Sequence, residues 1–349
     1  MRVNVFKSAA EGLTEILRNL VNGDNIDKDL IMYFLKNDNG CKAQLKFYGN
    51  RFTMEEYANV FIKSAKNERY KTDNDILSKM NNALMRMSKN MDLLDKKINN
   101  IREYDFNILE DKLKDTLPED TQLHFNIFFC LDGYNAGSIV DKNTMCLDAL
   151  FWASDKNKEE QVEGIILHEF HHIGCLYWLN KNEKRNYLLS KKDNNALALS
   201  LVESIMGEGA AVYFFNESKD LYELIHEAYG IDIGNSSEEK YLNSWNNMDE
   251  KLRNLNDLLV QLFIEPNSEY KKLKEDVNEY SYMKDNEEAL DKVIGKYMCM
   301  SIDSNLGRKR LLECFKEPKK FLNYYNEACD KKHKKGLDSR ILSMWNSIW

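Results

Sequence analysis

The chain reads as mainly α with a small β-sheet, an α+β organisation. Three observations predict this. Apolar residues recur at steps of three and four over most of the 349 residues. Strict alternation is confined to the stretch around 123–131 and its immediate neighbours. Only three prolines occur in the whole chain, which suits long helices.

Residues 1–118 read as helices. Leu13, Ile16, Leu17, Leu20 and Val21 form one apolar stripe. Thr53 and Glu56 have capping-box spacing ahead of Tyr57, Val60, Phe61 and Ala65. Met80, Leu84, Met87, Met91, Leu94, Ile98 and Ile101 predict one long helix with a heptad seam. That seam suits a coiled-coil dimer or packing within the protein's own helical region. Its length of about three heptads favours the second.

The pattern changes after Pro118. Leu123, Phe125, Ile127, Phe129 and Leu131 alternate with residues such as His124 and Asn126, the signature of a half-buried strand. The turn-rich Asp132-Gly133-Tyr134-Asn135-Ala136-Gly137 follows, and 138–140 and 143–147 read as further short strands. Residues 161–180 predict a buried helix. The polar stretch 180–195 predicts a solvated loop with at most one helical turn. Residues 196–215 predict a second buried helix whose only charged residues are Glu203 and Glu208.

The remainder is helical. Ser236 and Glu239 are spaced to cap a helix carrying Trp245, Met248, Leu252, Leu255, Leu259 and Leu262, with Pro266 at its end. Pro318 opens a last helix with Phe321, Leu322 and Tyr325. These shifts divide the chain into a helical N-terminal region (1–118), a core of small sheet and two buried helices (119–232), and a helical C-terminal region (233–349).

Hydrophobic content of 43% with 30% charged residues describes a soluble globular protein. A net charge of −8 argues against nucleic-acid or anionic-membrane partners. No signal-peptide apolar region and no run of about 18 apolar residues is present, so a cytoplasmic protein without a membrane span is expected. Seven cysteines are scattered without a C-x-x-C, which fits reduced thiols better than a disulfide framework or a cysteine zinc site.

Residues 161–180, QVEGIILHEFHHIGCLYWLN, hold His168-Glu169-Phe170-His171-His172, an H-E-x-x-H with three of the chain's six histidines. On a helix, His168 and His172 lie one turn apart on one face and can aim at one metal ion. Glu169 lies about 100° around the axis, within reach of a metal-bound water. A zinc hydrolase needs two neutral imidazoles, a third ligand, an open position for water, and a carboxylate to take its proton. The plainer reading is a hydrogen-bonded His pair with an incidental Glu. Apart from the histidines, Glu169 is the sole ionisable side chain between Gly164 and Asn180 other than Cys175 and Tyr177. A charge in such apolar surroundings needs a partner. His171 could compete with His168 and is expected to face elsewhere, in packing or behind the ligands.

Gly207 and Gly209 flank Glu208, and each helical Gly costs about 1 kcal/mol relative to Ala. Either another backbone or a metal comes close there, or the helices simply pack tightly beside a solvated Glu. Glu203 lies about 140° from Glu208 around the helix, so only one of the two can face the His pair directly. Glu208 is the expected third ligand, and Glu203 is expected to orient a ligand histidine or to face solvent.

With His168, His172 and Glu208-Gly209-Ala210-Ala211, the chain resembles the gluzincin metallopeptidases, the thermolysin-like and zinc-aminopeptidase group. It is most similar to uncharacterised bacterial families described as zinc-dependent peptidases. The resemblance is specific over about residues 120–215. It implies a minimal gluzincin core embedded between helical regions. It also implies a Zn2+ cofactor held by His168, His172 and Glu208, with Glu169 as general base. In such enzymes an edge strand holds an extended peptide, and the small Gly137 and Ser138 are the substrate-binding candidates here.

The chain departs from the family in two places. Thirty-five residues separate His172 from Glu208, more than in compact aminopeptidases. Gly295 and Gly307 keep a family spacing, but Lys292 stands where those enzymes have a Tyr. Tyr297, Tyr213 and His226 remain candidates for stabilising the oxyanion, and each also reads as ordinary helix packing. No anchor for a substrate amine is visible, so exopeptidase action is not supported. The expected function is a peptidase acting on a peptide or protein substrate. The rival is a catalytically silent helical binding protein whose structural zinc is closed by His171, Glu203 or Cys175. A zinc hydrolase of a non-peptide amide is a third reading.

Overall fold

Phe125, Ile127 and Phe129 are fully buried along strand β2 (His124–Cys130), around which the sheet is built. The computed structural model describes residues 1–215, 222–231, 243–264, 269–282 and 288–349. Within them the sheet comprises β1 (Arg2–Phe6), β2, β3 (Gly137–Asp141) and β4 (Thr144–Asp148), in the order β1-β2-β4-β3. β1 and β4 run parallel to β2 on its two sides, and β3 closes the edge antiparallel to β4. Helices make up most of the rest, so the chain is mainly α with a small sheet.

The described residues divide into two compact units. The first comprises Met1–Lys112, Gln122–Glu169 and the described part of Asp220–Gly234. Its sheet carries side chains on both faces, because successive residues of a strand point opposite ways. Phe128 stacks on Phe6 with centroids 4.7 Å apart. On the same face lie helices Ser8–Val21 and Asn39–Tyr48, with Gly40 letting the second approach Ala9 of the first. Phe129 on the other face meets Trp152 at 5.5 Å and Phe106 at 5.6 Å.

The second unit comprises Leu113–Thr121 and the described parts of Phe170–Lys219 and Asn235–Trp349. Its centre is the pair of helices Asn194–Phe215 and Leu290–Leu306. Their backbones touch. A Cβ added to Gly209 would lie 2.1 Å from the carbonyl carbon of Gly295, and one added to Gly295 would lie 2.0 Å from the carbonyl oxygen of Ile205. Asn194–Phe215 is long and apolar enough to cross a membrane by length and composition. Half of its most apolar window is buried against its neighbours.

Local signals account for several elements. Thr53 and Glu56 form the expected capping box at the start of Met54–Ala65. The seam from Met80 to Ile101 packs within the first unit, but on two helices, Asp75–Ser88 and Met91–Glu103. The break comes at Asn90, whose side chain accepts the Leu93 N–H and starts the second helix. β1 corrects the reading of 1–118 as purely helical. Val3 and Val5 alternate, yet this short run becomes a strand through its pairing with β2. The polar stretch after Asn180 holds a helix, Glu183–Ser190, capped by Asn182. Pro318 opens Lys319–Lys331 as expected, but Ser339–Ile348 follows it. The capping residues Ser236 and Glu239, and Pro266, lie outside the described residues. All seven cysteines are free and buried.

Two buried carboxylates hold the turn after β2. Asp132 accepts from the Tyr48 hydroxyl at 2.7 Å, Gln44 Nε2 at 3.0 Å, and the N–H groups of Tyr134 and Asn135. Asp148, at the end of β4, accepts from the N–H groups of Asp132, Gly133 and Leu150 at 2.9, 2.7 and 3.0 Å. Burial and the neighbouring Asp132 charge push the Asp148 carboxyl up to about 7, against the pull of those three N–H groups.

Two predictions follow from this packing. Helix propensity alone makes Gly209→Ala stabilising by about 1 kcal/mol. The contact with Gly295 reverses the sign, and urea unfolding should show a loss of about 1–3 kcal/mol. The second concerns pH. Between about 4 and about 7 the folded state keeps a proton on Asp148 that the unfolded chain has released. Its stabilising contribution is therefore complete below about 4 and lost as pH rises through about 7. Unfolding free energy measured from pH 5 to pH 8 should fall less steeply in Asp148→Asn than in the parent, and equal slopes would remove Asp148 as the cause.

Candidate metal centre

The H-E-x-x-H lies on one unbroken helix, Glu159–Lys181. That helix is apolar around much of its circumference, with Val162, Ile166, Leu167, Phe170, Ile173 and Cys175 all buried. Helical continuity sets His168 and His172 one turn apart on one face. The division between the two units falls within this helix, after Glu169.

The third donor comes from Asn194–Phe215. Glu208 Oε1 lies 3.4 Å from His172 Nε2. One ligand atom each from His168, His172 and Glu208 falls within 4.8 Å of the others. Zinc bonds of about 2.1 Å in a tetrahedron put neighbouring ligand atoms about 3.4 Å apart, so the His172–Glu208 separation fits the metal. The donor set, two imidazoles and a carboxylate, is also one zinc takes readily. His168 is buried at 7% exposure, while the side chains of His172 and Glu208 keep 17% and 29%. The cluster therefore reaches solvent on the His172–Glu208 side. Glu169 follows His168 on the helix and is half-buried.

The glycines beside Glu208 differ in their surroundings. Gly209 admits the backbone of Gly295, whereas a Cβ on Gly207 would sit 3.9 Å from His172 Nδ1 in ordinary contact. Close approach of a second helix is thus the reason for Gly209, whereas no close neighbour requires a glycine at 207.

The other candidates are engaged elsewhere. Glu203 neither orients a ligand histidine nor faces solvent. Both its oxygens are taken by Arg185, Oε1 at 2.8 Å from Nε and Oε2 at 2.7 Å from Nη2, in a pair about nine-tenths buried. Arg185 stands on the helix Glu183–Ser190 that was expected to be loop, which is why sequence reasoning missed the pair. His171 is fully buried. Its Nε2 lies 3.1 Å from the Thr116 carbonyl oxygen, its Nδ1 3.5 Å from Cys175 Sγ, and its ring packs among Phe214, Phe215 and Phe315. The His171 ring is thus enclosed in aromatic packing.

Neither Tyr candidate for the oxyanion points its hydroxyl into the cluster. The Tyr213 hydroxyl donates to Asp303 Oδ2 at 2.9 Å, and the Tyr297 hydroxyl accepts from Lys334 Nζ at 3.2 Å. His226 lies in the helix Tyr222–Tyr229 of the first unit, where its carbonyl accepts from Arg86. Gly137 and Ser138 open β3, which is the edge strand. Ser138 is buried and pairs with Cys146, and Gly137 sits where a Cβ would press on Leu147 at 3.2 Å. Sequence reasoning undervalued Lys292, whose Nζ lies 3.9 Å from Glu208 Oε2. Its signal was the Gly295 spacing, where Lys292 counted only as a departure.

These contacts separate the two carboxylates of the helix experimentally. Protein purified without added metal should carry about one zinc per chain, and Glu208→Ala should empty the site. Glu203→Ala should keep the zinc but lose roughly 3 kcal/mol of stability, the scale for breaking a buried ion pair. Elemental analysis and urea unfolding read the two effects, and a Glu203 variant without zinc would reverse the assignment.

Over residues 36–334 the chain matches the model of a family described as "Putative zinc dependent peptidase (DUF5700)". No curated protein and no solved structure matches it. That match spans most of the chain and contains both the H-E-x-x-H and Glu208, so the chain belongs to this family of zinc-dependent peptidases.

Proposed function

We propose that the chain is a zinc-dependent peptidase of the gluzincin type, with His168, His172 and Glu208 as ligands and Glu169 as general base. The observation that carries this reading is the incomplete donor set. Among the described residues the cluster contains three donors and reaches solvent beside two of them. A structural zinc needs a fourth protein ligand. The residues that could have supplied one do other work: His171 and Cys175 contact each other, and Glu203 binds Arg185. An open position on a solvent-facing zinc is what hydrolysis requires.

Zinc bound there would lower the pKa of a coordinated water to about 7 and polarise the scissile carbonyl. His168 and His172, as neutral imidazoles, and the Glu208 carboxylate hold that position in the fold. Glu169 accepts the proton of the attacking water as the new carbon–oxygen bond forms. It then delivers that proton to the leaving nitrogen as the carbon–nitrogen bond breaks. The outer edge of β3, unpaired within the described sheet, is the candidate strand for docking an extended peptide by main-chain hydrogen bonds.

Glu169→Gln tests the reading directly. A general base contributes about 10²–10⁴-fold. Against a proteome-derived peptide library, the variant should lose cleavage on that scale while keeping its zinc. Cleavage within tenfold of the parent would remove Glu169 from the chemistry. No peptide cleavage by the zinc-loaded parent, with small amides hydrolysed instead, would shift the substrate class.

A further inference from the structure

We propose that Lys292 is a catalytic residue of this site: its ammonium donates to the negative charge that develops on the substrate carbonyl oxygen. This rests on the peptidase reading above and supplies the oxyanion donor which that reading lacks. Four observations carry it, all within the second unit.

The first is position. Lys292 Nζ lies 3.9 Å from Glu208 Oε2, the oxygen not facing His172, and its side chain is 34% exposed. The ammonium therefore stands beside the cluster, on a side chain that remains partly exposed. The second is the looseness of that contact. At 3.9 Å the pair is an ion pair without a hydrogen bond. On the same helix, Arg185 clamps Glu203 with two bonds of 2.7–2.8 Å in a buried site. A lysine whose task was to fix Glu208 would be held comparably close. Among the described residues no hydrogen bond engages the Lys292 ammonium, which leaves its three N–H donors for another anion.

The third observation is that the backbone of Lys292 is held in place. Its backbone N–H donates to Asp291 Oδ1 at 2.8 Å. The other oxygen of Asp291, a buried residue, accepts from Ser204 at 2.7 Å and Ser281 at 2.6 Å. Ser204 lies one turn before Glu208 on the same helix, so Asp291 ties the first turn of the Lys292 helix to the helix bearing the ligand. The Gly209–Gly295 contact fixes the spacing one turn further on. The fourth is the engagement of both candidate tyrosines, with Tyr213 bonded to Asp303 and Tyr297 to Lys334. A preorganised cation at this place stabilises an oxyanion more than it stabilises the neutral carbonyl, so its contribution falls on kcat.

Lys292→Met and Lys292→Arg test this in the full chain. Cobalt-substituted protein is titrated with inorganic phosphate, a tetrahedral oxyanion, and followed by its visible absorption. The expected result is at least tenfold weaker phosphate binding in Lys292→Met, with Lys292→Arg within about threefold of the parent. Zinc affinity, measured against a competing chelator, should stay within threefold in both. In the peptide-cleavage assay kcat should fall 10²–10³-fold in Lys292→Met, the scale of losing one oxyanion donor, with KM little changed. Phosphate that fails to bind the parent, or binds Lys292→Met equally well, overturns the proposal. So does a 10–100-fold loss of zinc affinity, which would make Lys292 a positioning residue for Glu208. A parent that binds cobalt and phosphate through Lys292 yet cleaves no peptide would overturn the peptidase reading while leaving Lys292 as the anion donor.

Discussion

Backbone contact between Gly209 and Gly295 is the constraint on which the surroundings of Glu208 depend. Helices that carry side chains at their crossing usually stand 8–10 Å apart. Here no side chain intervenes, and the two helices meet main chain to main chain. The residues beside the crossing are then brought together whatever their own preferences. Glu208 is next to one glycine and Lys292 lies three residues before the other, and their charged ends come within 3.9 Å. The buried Asp291, bonded to Ser204 and Ser281, keeps the helices from rotating against one another. Two glycines in helices cost intrinsic stability, and that cost is offset by the packing the contact allows.

The helix Asn194–Phe215 shows how one apolar element can carry two carboxylates for different ends. A buried carboxylate must find a cation, a metal or a set of N–H donors. Glu203 finds Arg185 and is closed off from the cluster. Glu208, about 140° around the axis, faces His172. The first is saturated by two short bonds and is structural. The second keeps partial exposure of its side chain and stands beside His172 and Lys292. The same contrast separates the histidines: His171 is enclosed by phenylalanines, while His172 reaches solvent.

In the first unit the polar chemistry serves the fold. Asp132 and Asp148 absorb the N–H groups of the turn between β2 and β3, and the Tyr48 and Gln44 side chains complete the shell. This lets the start of a tight turn, with Gly133 at positive φ against the Met80 backbone, be buried with the N–H groups of Asp132 and Gly133 bonded. Burial and the neighbouring Asp132 charge raise the Asp148 pKa, so the fold carries a titrating group in the sheet as well.

Much was legible in the sequence because it is encoded by local periodicity. Alternation along 123–131 marked β2, Thr53 and Glu56 marked a helix start, and the i, i+4 spacing of His168 and His172 determined that both imidazoles share a helix face. Glu208 was recognisable from its glycines and the Glu-Gly-x-Ala pattern. What sequence alone did not determine depends on partners distant along the chain. Arg2–Phe6 is a strand because β2 lies beside it, a pairing across more than a hundred residues that no local signal encodes. Glu203 is bound by Arg185 through a helix hidden in a polar stretch, where charge outweighed the apolar signal. Lys292 read as a departure from a pattern because its meaning lies in the Gly209–Gly295 crossing, and a crossing of two helices is a property of their packed surfaces, not of either sequence by itself.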